Sequence, residues 1–166
     1  MSEALLDVNV LIAAHLTNHA DHAKARQFVD SLDRFYTTPT TQGGFLRFLT
    51  RPWKNQKGEP QPPRMTAAEA LATLAKLTAQ PKHIFMPDDA PFAAVLLKSI
   101  SGHRQWTDAY LMALARKHGH KLATLEAKLD NLDEPTTRCC RKSVDPAPRG
   151  QPRKLSEPAY CRRSWR

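Results

Sequence analysis

The sequence predicts an α/β domain with a mainly parallel central sheet flanked by helices. Short apolar runs of strand length, ALLD (4–7), FYTT (35–38) and KLATL (121–125), alternate with longer segments of helical period. The 166 residues, 41% hydrophobic and 25% charged, suffice for one domain with a real core. There is no internal repeat.

ALLD reads as a buried strand feeding a helix around VNVLIAAHL. HADHAKARQFVDSL (19–32) reads as a second helix, with Ala23, Phe28 and Val29 supplying part of its inner face. FYTT is aromatic and β-branched, hence a strand. TTPTTQGGFLRFLT then turns into a helix with Phe45, Leu46, Phe48 and Leu49 on its apolar side. RPWKNQKGEPQPPR (51–64) holds four prolines and one glycine and reads as a mobile loop. TAAEALATLAKLTAQ (66–80) opens on a capping box, Thr66 with Glu69 three residues on. HIFMP (83–87) reads as a strand, APFAAVLLKSI (90–100) as a helix, and WTDAYLMALARKHG (106–119) as a helix ended by Gly119. KLATL is the last strand.

The net charge of +9 is not spread evenly. Residues 1–135 carry 16 Lys/Arg and 14 Asp/Glu, whereas residues 136–166 carry 9 and 2, with 4 of the 13 prolines. The boundary therefore falls at 135: a folded domain over 1–135, and over 136–166 a basic tail without apolar periodicity that is expected to be disordered. Such a tail adds sequence-independent affinity for phosphate backbones or is simply a solvated extension. Cys139, Cys140 and Cys161 are odd in number and confined to that end, so no disulfide framework is implied. The uncharged apolar stretch Val10–Ala14 is too short to span a bilayer, and Asp7 interrupts any signal-peptide core, which points to a cytoplasmic protein without a membrane segment.

Asp7 is a single carboxylate with apolar chain on both sides, and an unpaired carboxylate is costly to bury. It closes the first strand, and Glu126 closes the last. Asp108 opens the helix DAYLMALARK and shares a face with Leu111, Met112 and Ala115 at i+3, i+4 and i+7, so it points inward. The carboxyl ends of parallel strands and the helix N-termini form one rim, where ligands bind. Three acids meeting there repel one another but suit a hard divalent cation. Taken singly, Asp7 and Asp108 also read as helix caps and Glu126 as a surface acid in a turn.

LLDVNVLIA, TTPTTQGGFLRFL and WTDAYLMALARKHGHKLATLEAKL, in that order over residues 4–130, resemble the successive motifs of PIN-domain ribonucleases, specifically VapC-type toxins of bacterial toxin–antitoxin pairs. The resemblance implies a PIN-like fold and a Mg²⁺- or Mn²⁺-dependent endoribonuclease with a four-acid site, usually a homodimer inhibited by a cognate VapB-type antitoxin. Asp7 matches the first acid of the family and Asp108 the third. Gln42 stands where the family most often has Glu, and Glu126 where it usually has Asp. The resemblance thus makes Asp7, Asp108 and Glu126 the metal ligands, with Gln42 completing the catalytic set by positioning a ligand water. An apolar counterpart of the family's closing strand is missing after Leu132.

Other readings compete. A non-catalytic PIN-like module would bind RNA or a partner without cleaving. An aspartyl-phosphate enzyme of the haloacid-dehalogenase type would need a second Asp where Asn9 stands. His15, His19 and His22 suggest zinc, but structural zinc wants four ligands and no Cys is near; capping or packing explains them as well. Trp106 suits either base stacking or the edge of the core, and Arg47 either an RNA contact or an ordinary surface position.

Overall fold

The computed structural model describes residues 2–95, 102, 105–125 and 137–139. Its elements in chain order are β1 (Glu3–Leu6), α1 (Val8–His15), α2 (His22–Asp30), β2 (Arg34–Thr37), α3 (Pro39–Thr50), β3 (Trp53–Lys54), β4 (Pro60–Gln61), α4 (Ala67–Thr78), β5 (His83–Phe85), α5 (Trp106–Lys117), β6 (Lys121–Thr124) and β7 (Thr137–Cys139). A 3₁₀ turn at Phe92–Ala94 precedes α5. Five strands form one sheet in the order β5-β2-β1-β6-β7, every pair parallel. β3 and β4 form a separate antiparallel pair.

The period of two along the strands sorts the core into two layers. Ala4 and Leu6 of β1, Phe35 of β2 and Ala123 of β6 join α1–α4 on one face. Leu5, Tyr36 and Leu122 join α5 on the other. Residues 10–14 of α1 and 109–115 of α5 are buried without interruption, so these two helices are enclosed rather than amphipathic. The expected α/β architecture holds. Among the described residues no helix is long and apolar enough to cross a membrane.

Several local expectations are corrected. α2 is shorter than 19–32, and its inner face is Ala25 and Val29 with Phe28 partly buried, whereas Ala23 is exposed. The Pro-rich stretch 51–64 is organised: Asn55 Oδ1 accepts from Lys57 N–H and Glu59 N–H, each at 3.0 Å, and closes the β3–β4 turn. Gly58 takes the left-handed conformation there at φ 81°. Arg64 lies over both Phe48 and Trp53, 4.7 Å from each ring centre, and fastens the hairpin to α3. Of the helix expected over 90–100, the described part is the 3₁₀ turn; 96–100 lies outside the described residues. β7 lies just past residue 135, in the segment whose composition reads as tail; it pairs Leu122 with Thr137 and Thr124 with Cys139. The rest of that segment lies outside the described residues. The Thr66–Glu69 capping box is present as expected.

The histidines of the first helices are backbone caps. His15 Nδ1 lies 2.9 Å from the Leu11 carbonyl and His22 Nδ1 2.8 Å from that of Ala13. His15 also sets its ring edge-on to Phe45, 5.4 Å between centres. Burial holds the imidazoles of His15, His83 and His120 below the ordinary value of 6.5. The unfolded chain therefore binds more protons than the folded one once the pH falls under about 6.5. Stability is complete above that pH and is lost as the pH drops towards the folded values. A thermal melt is expected to shift down by a few degrees between pH 7 and pH 5.

Candidate active site

The strand order sets where a site can form. The chain winds from β1 to β2 to β5 on one side, then returns to place β6 on the other side of β1. The carboxyl ends of β1 and β6 thus flank the topological switch point, where the crevice of a parallel sheet opens. Asp7 follows β1 at that point and is 4% exposed. Its N–H donates to the Ala123 carbonyl at 3.0 Å, carrying the sheet one residue past β1. As N-cap of α1 its Oδ1 accepts from Val8 N–H at 2.6 Å, so the helix N-terminus faces the carboxylate. Oδ2 accepts from the Thr124 hydroxyl at 3.1 Å.

Thr124 and Asn9 are site residues that sequence reasoning missed. Asn9 Nδ2 donates to Thr124 Oγ1 at 3.1 Å, and Asn9 Oδ1 accepts from Leu125 N–H at 3.2 Å. Asn9 therefore clamps the chain where it leaves β6, one residue before Glu126, and Thr124 has its only proton for Asp7. The signal was a lone amide in the otherwise apolar VNVLIAA. Glu126 lies outside the described residues.

Gln42 sits in the first turn of α3, whose N-cap Thr38 forms a reciprocal capping box with Thr41. Gln42 Nε2 donates to Thr37 Oγ1 at 2.9 Å, at the carboxyl end of β2, the strand next to β1. Thr37 is fully buried and its Oγ1 lies 2.7 Å from His83 Nε2. Thr40 N–H and Oγ1–H both donate to Asp88 Oδ2, at 2.9 and 2.7 Å, and tie this turn to the loop after β5.

Asp108 is not the N-cap of α5: that place belongs to Gln105, and Asp108 stands at the third helical position, half-buried. Leu111, Met112 and Ala115 below it are buried as expected. α5 leads through Gly119, at φ 71°, directly into β6. It therefore runs antiparallel to the strands, and its N-terminal turn lies at their carboxyl ends with Asp7. Trp106, 42% exposed, meets Phe92 at 6.5 Å at the start of this helix.

α1 and α3 meet closely beside the site. A Cβ at Gly44 would fall 2.6 Å from Val8 Cγ2 and 3.3 Å from Cγ1, inside contact distance of a stiff β-branched side chain next to Asp7. Gly44→Ala is expected to cost about 1–3 kcal/mol of stability by overpacking. It should also lower catalytic activity, since Val8 N–H holds Asp7; a urea titration beside an activity assay checks both.

The donors at this rim, the Asp7 and Asp108 carboxylates and the Gln42 amide oxygen, are hard oxygens of the kind Mg²⁺ and Mn²⁺ take. Among the described residues, no three His, Cys, Asp or Glu side chains form a group that would hold a metal ion.

The PIN-domain family profile matches residues 4–135. The chain belongs to that family. Over 129 residues it is 40% identical to ribonuclease VapC29 of Mycobacterium tuberculosis, covering 77% of this chain and 89% of that protein. Ribonuclease VapC39 of the same organism is 39% identical over 131 residues, covering 76% and 90%. These relatives make it a VapC-type PIN domain. The structure of FitAB bound to an IR36 DNA fragment superposes with a TM-score of 0.56 at 18% identity, covering 82% of this chain and 94% of that one. FitAcB from Neisseria gonorrhoeae gives a TM-score of 0.50 at 20% identity, covering 75% and 88%, and these two likenesses speak to the PIN fold alone.

Proposed function

We propose that this chain is a metal-dependent endoribonuclease that acts as the toxin of a toxin–antitoxin pair and hydrolyses RNA phosphodiester bonds. The observation that carries this reading is the buried Asp7 carboxylate at the β1–β6 switch point of a VapC-type PIN domain. Asp7 and Asp108 would hold the cation, with Glu126 as a further ligand, and Gln42 would orient a ligand water. Bound Mg²⁺ or Mn²⁺ supplies an activated water and neutralises charge on the phosphoryl oxygens. The Val8 N–H at the α1 N-terminus and the Thr124 hydroxyl each donate to the Asp7 carboxylate and hold it in place. The partners of this reading are an RNA substrate, a VapB-type antitoxin and a second copy of the chain, in the cytoplasm.

The test is cleavage of a labelled structured RNA with Mg²⁺, Mn²⁺ or EDTA, beside Asp108→Asn. Cleavage is expected to require the ion and to fall to background in the variant. Equal RNA binding by both proteins without cleavage would instead establish a non-catalytic module.

A further inference from the structure

Gln42 stands where a carboxylate is the family's usual choice, and the hydrogen bonds around it supply a reason. His83 Nδ1 lies 3.1 Å from the Thr78 carbonyl, the last residue of α4. A carbonyl only accepts, so the ring proton sits on Nδ1 and the neutral ring presents Nε2 as an acceptor. Burial favours that neutral form. Thr37 Oγ1, 2.7 Å from Nε2, must then donate. A hydroxyl has one proton, and with it committed to His83, Thr37 offers only lone pairs to residue 42. The partner there has to be a donor. An amide satisfies this through Nε2, as observed at 2.9 Å, and so leaves Oε1 as the end that serves the site. A carboxylate does not: Glu at 42 would take the Thr37 proton and leave His83 Nε2 without a donor, or would face Thr37 oxygen to oxygen.

We propose that Thr37 and His83 are positioning residues that fix the amide orientation of Gln42 and make this site specific for an amide at that position. The relay starts at the α4 C-terminus, crosses β5 and β2, and ends on the first turn of α3, so the protonation of one ring nitrogen decides which atom of Gln42 is presented. The proposal rests on reading Gln42 as part of the site.

Two measurements separate the proposal from that reading. Nitrogen-15 NMR of the full chain reads the His83 tautomer directly and needs no activity; Nδ1–H is expected, and a ring protonated at Nε2 overturns the relay whatever Gln42 does. RNA cleavage in Mg²⁺ then reads the consequence. Thr37→Val is expected to lose about tenfold, the lower end of what losing the partner of a metal-site residue costs, while Thr37→Ser, which keeps the hydroxyl, stays near the parent. Gln42→Glu alone should also lose about tenfold. In Gln42→Glu with His83→Phe the Thr37 proton is released to the carboxylate, and at least about threefold of the loss should return, a non-additivity expected only of residues sharing one network. Equal activity of Thr37→Val and Thr37→Ser, or Gln42→Glu as active as the parent, overturns the positioning role. Gln42→Ala with undiminished cleavage and the Nδ1–H tautomer intact overturns the placement of Gln42 in the site, and the proposal with it.

Discussion

Asp7→Asn is expected to lower RNA cleavage by about a hundredfold or more while leaving the thermal midpoint of the metal-free protein unchanged or raised. The side chain keeps its size, and an Asn oxygen still accepts from Val8 N–H as Asp7 Oδ1 does at 2.6 Å. Its amide nitrogen then faces Thr124 Oγ1, where the carboxylate oxygen Oδ2 had accepted from that hydroxyl at 3.1 Å. What disappears is the charge. A carboxylate only 4% exposed is held against its desolvation cost, and neutralising it relieves that cost in the absence of a cation. Activity and stability should therefore move apart. A calorimetric scan beside the cleavage assay decides: a fall in both together would make Asp7 merely the cap of α1.

The largest loss of stability is expected from Phe45→Ala, about 3–5 kcal/mol. Phe45 is fully buried, lies one turn past Gln42 on α3, and packs edge-on to His15 of α1. Its removal leaves a cavity between two helices that begin at the rim, so the side chains of their first turns lose their common support. Against a total of about 5–15 kcal/mol this is a large fraction. The urea midpoint should fall accordingly, whereas Leu71→Ala, at a residue 59% exposed on α4, should change stability by no more than about 0.5 kcal/mol.

Much of the fold is legible residue by residue. ALLD reads as a strand because its apolar atoms have no other use, and the Thr66–Glu69 box announces α4 because both partners lie within one turn. The misses have equally local causes. Ala23 and Ala25 are chemically identical, so the choice between them awaits the packing of α2 on α1. Asp108 has a capping residue's chemistry but stands at the third position, because α5 begins at the aromatic Trp106. The two-residue strands β3 and β4 are too short to show a period, and β7 carries no apolar alternation, so only their pairing partners identify them. For the candidate site, Asp7 and Asp108 were legible as acids at element ends, and Gln42 through the family resemblance alone. Thr124, Asn9 and Thr37 were not, because each matters through what it bonds across the fold.

The sequence by itself determined the alternation of strands and helices, the capping of α4 and the placing of acids where strands end and helices begin. Those properties depend on neighbours within a helical turn or a strand's period, which any window of the chain contains. Only the tertiary structure decided that β6 returns beside β1, which brings Thr124 to Asp7 across 117 positions, and that β5 lies beside β2, which brings His83 to Thr37 across 46. Strand order follows from burying both faces of the whole sheet at once, a condition that no local segment contains.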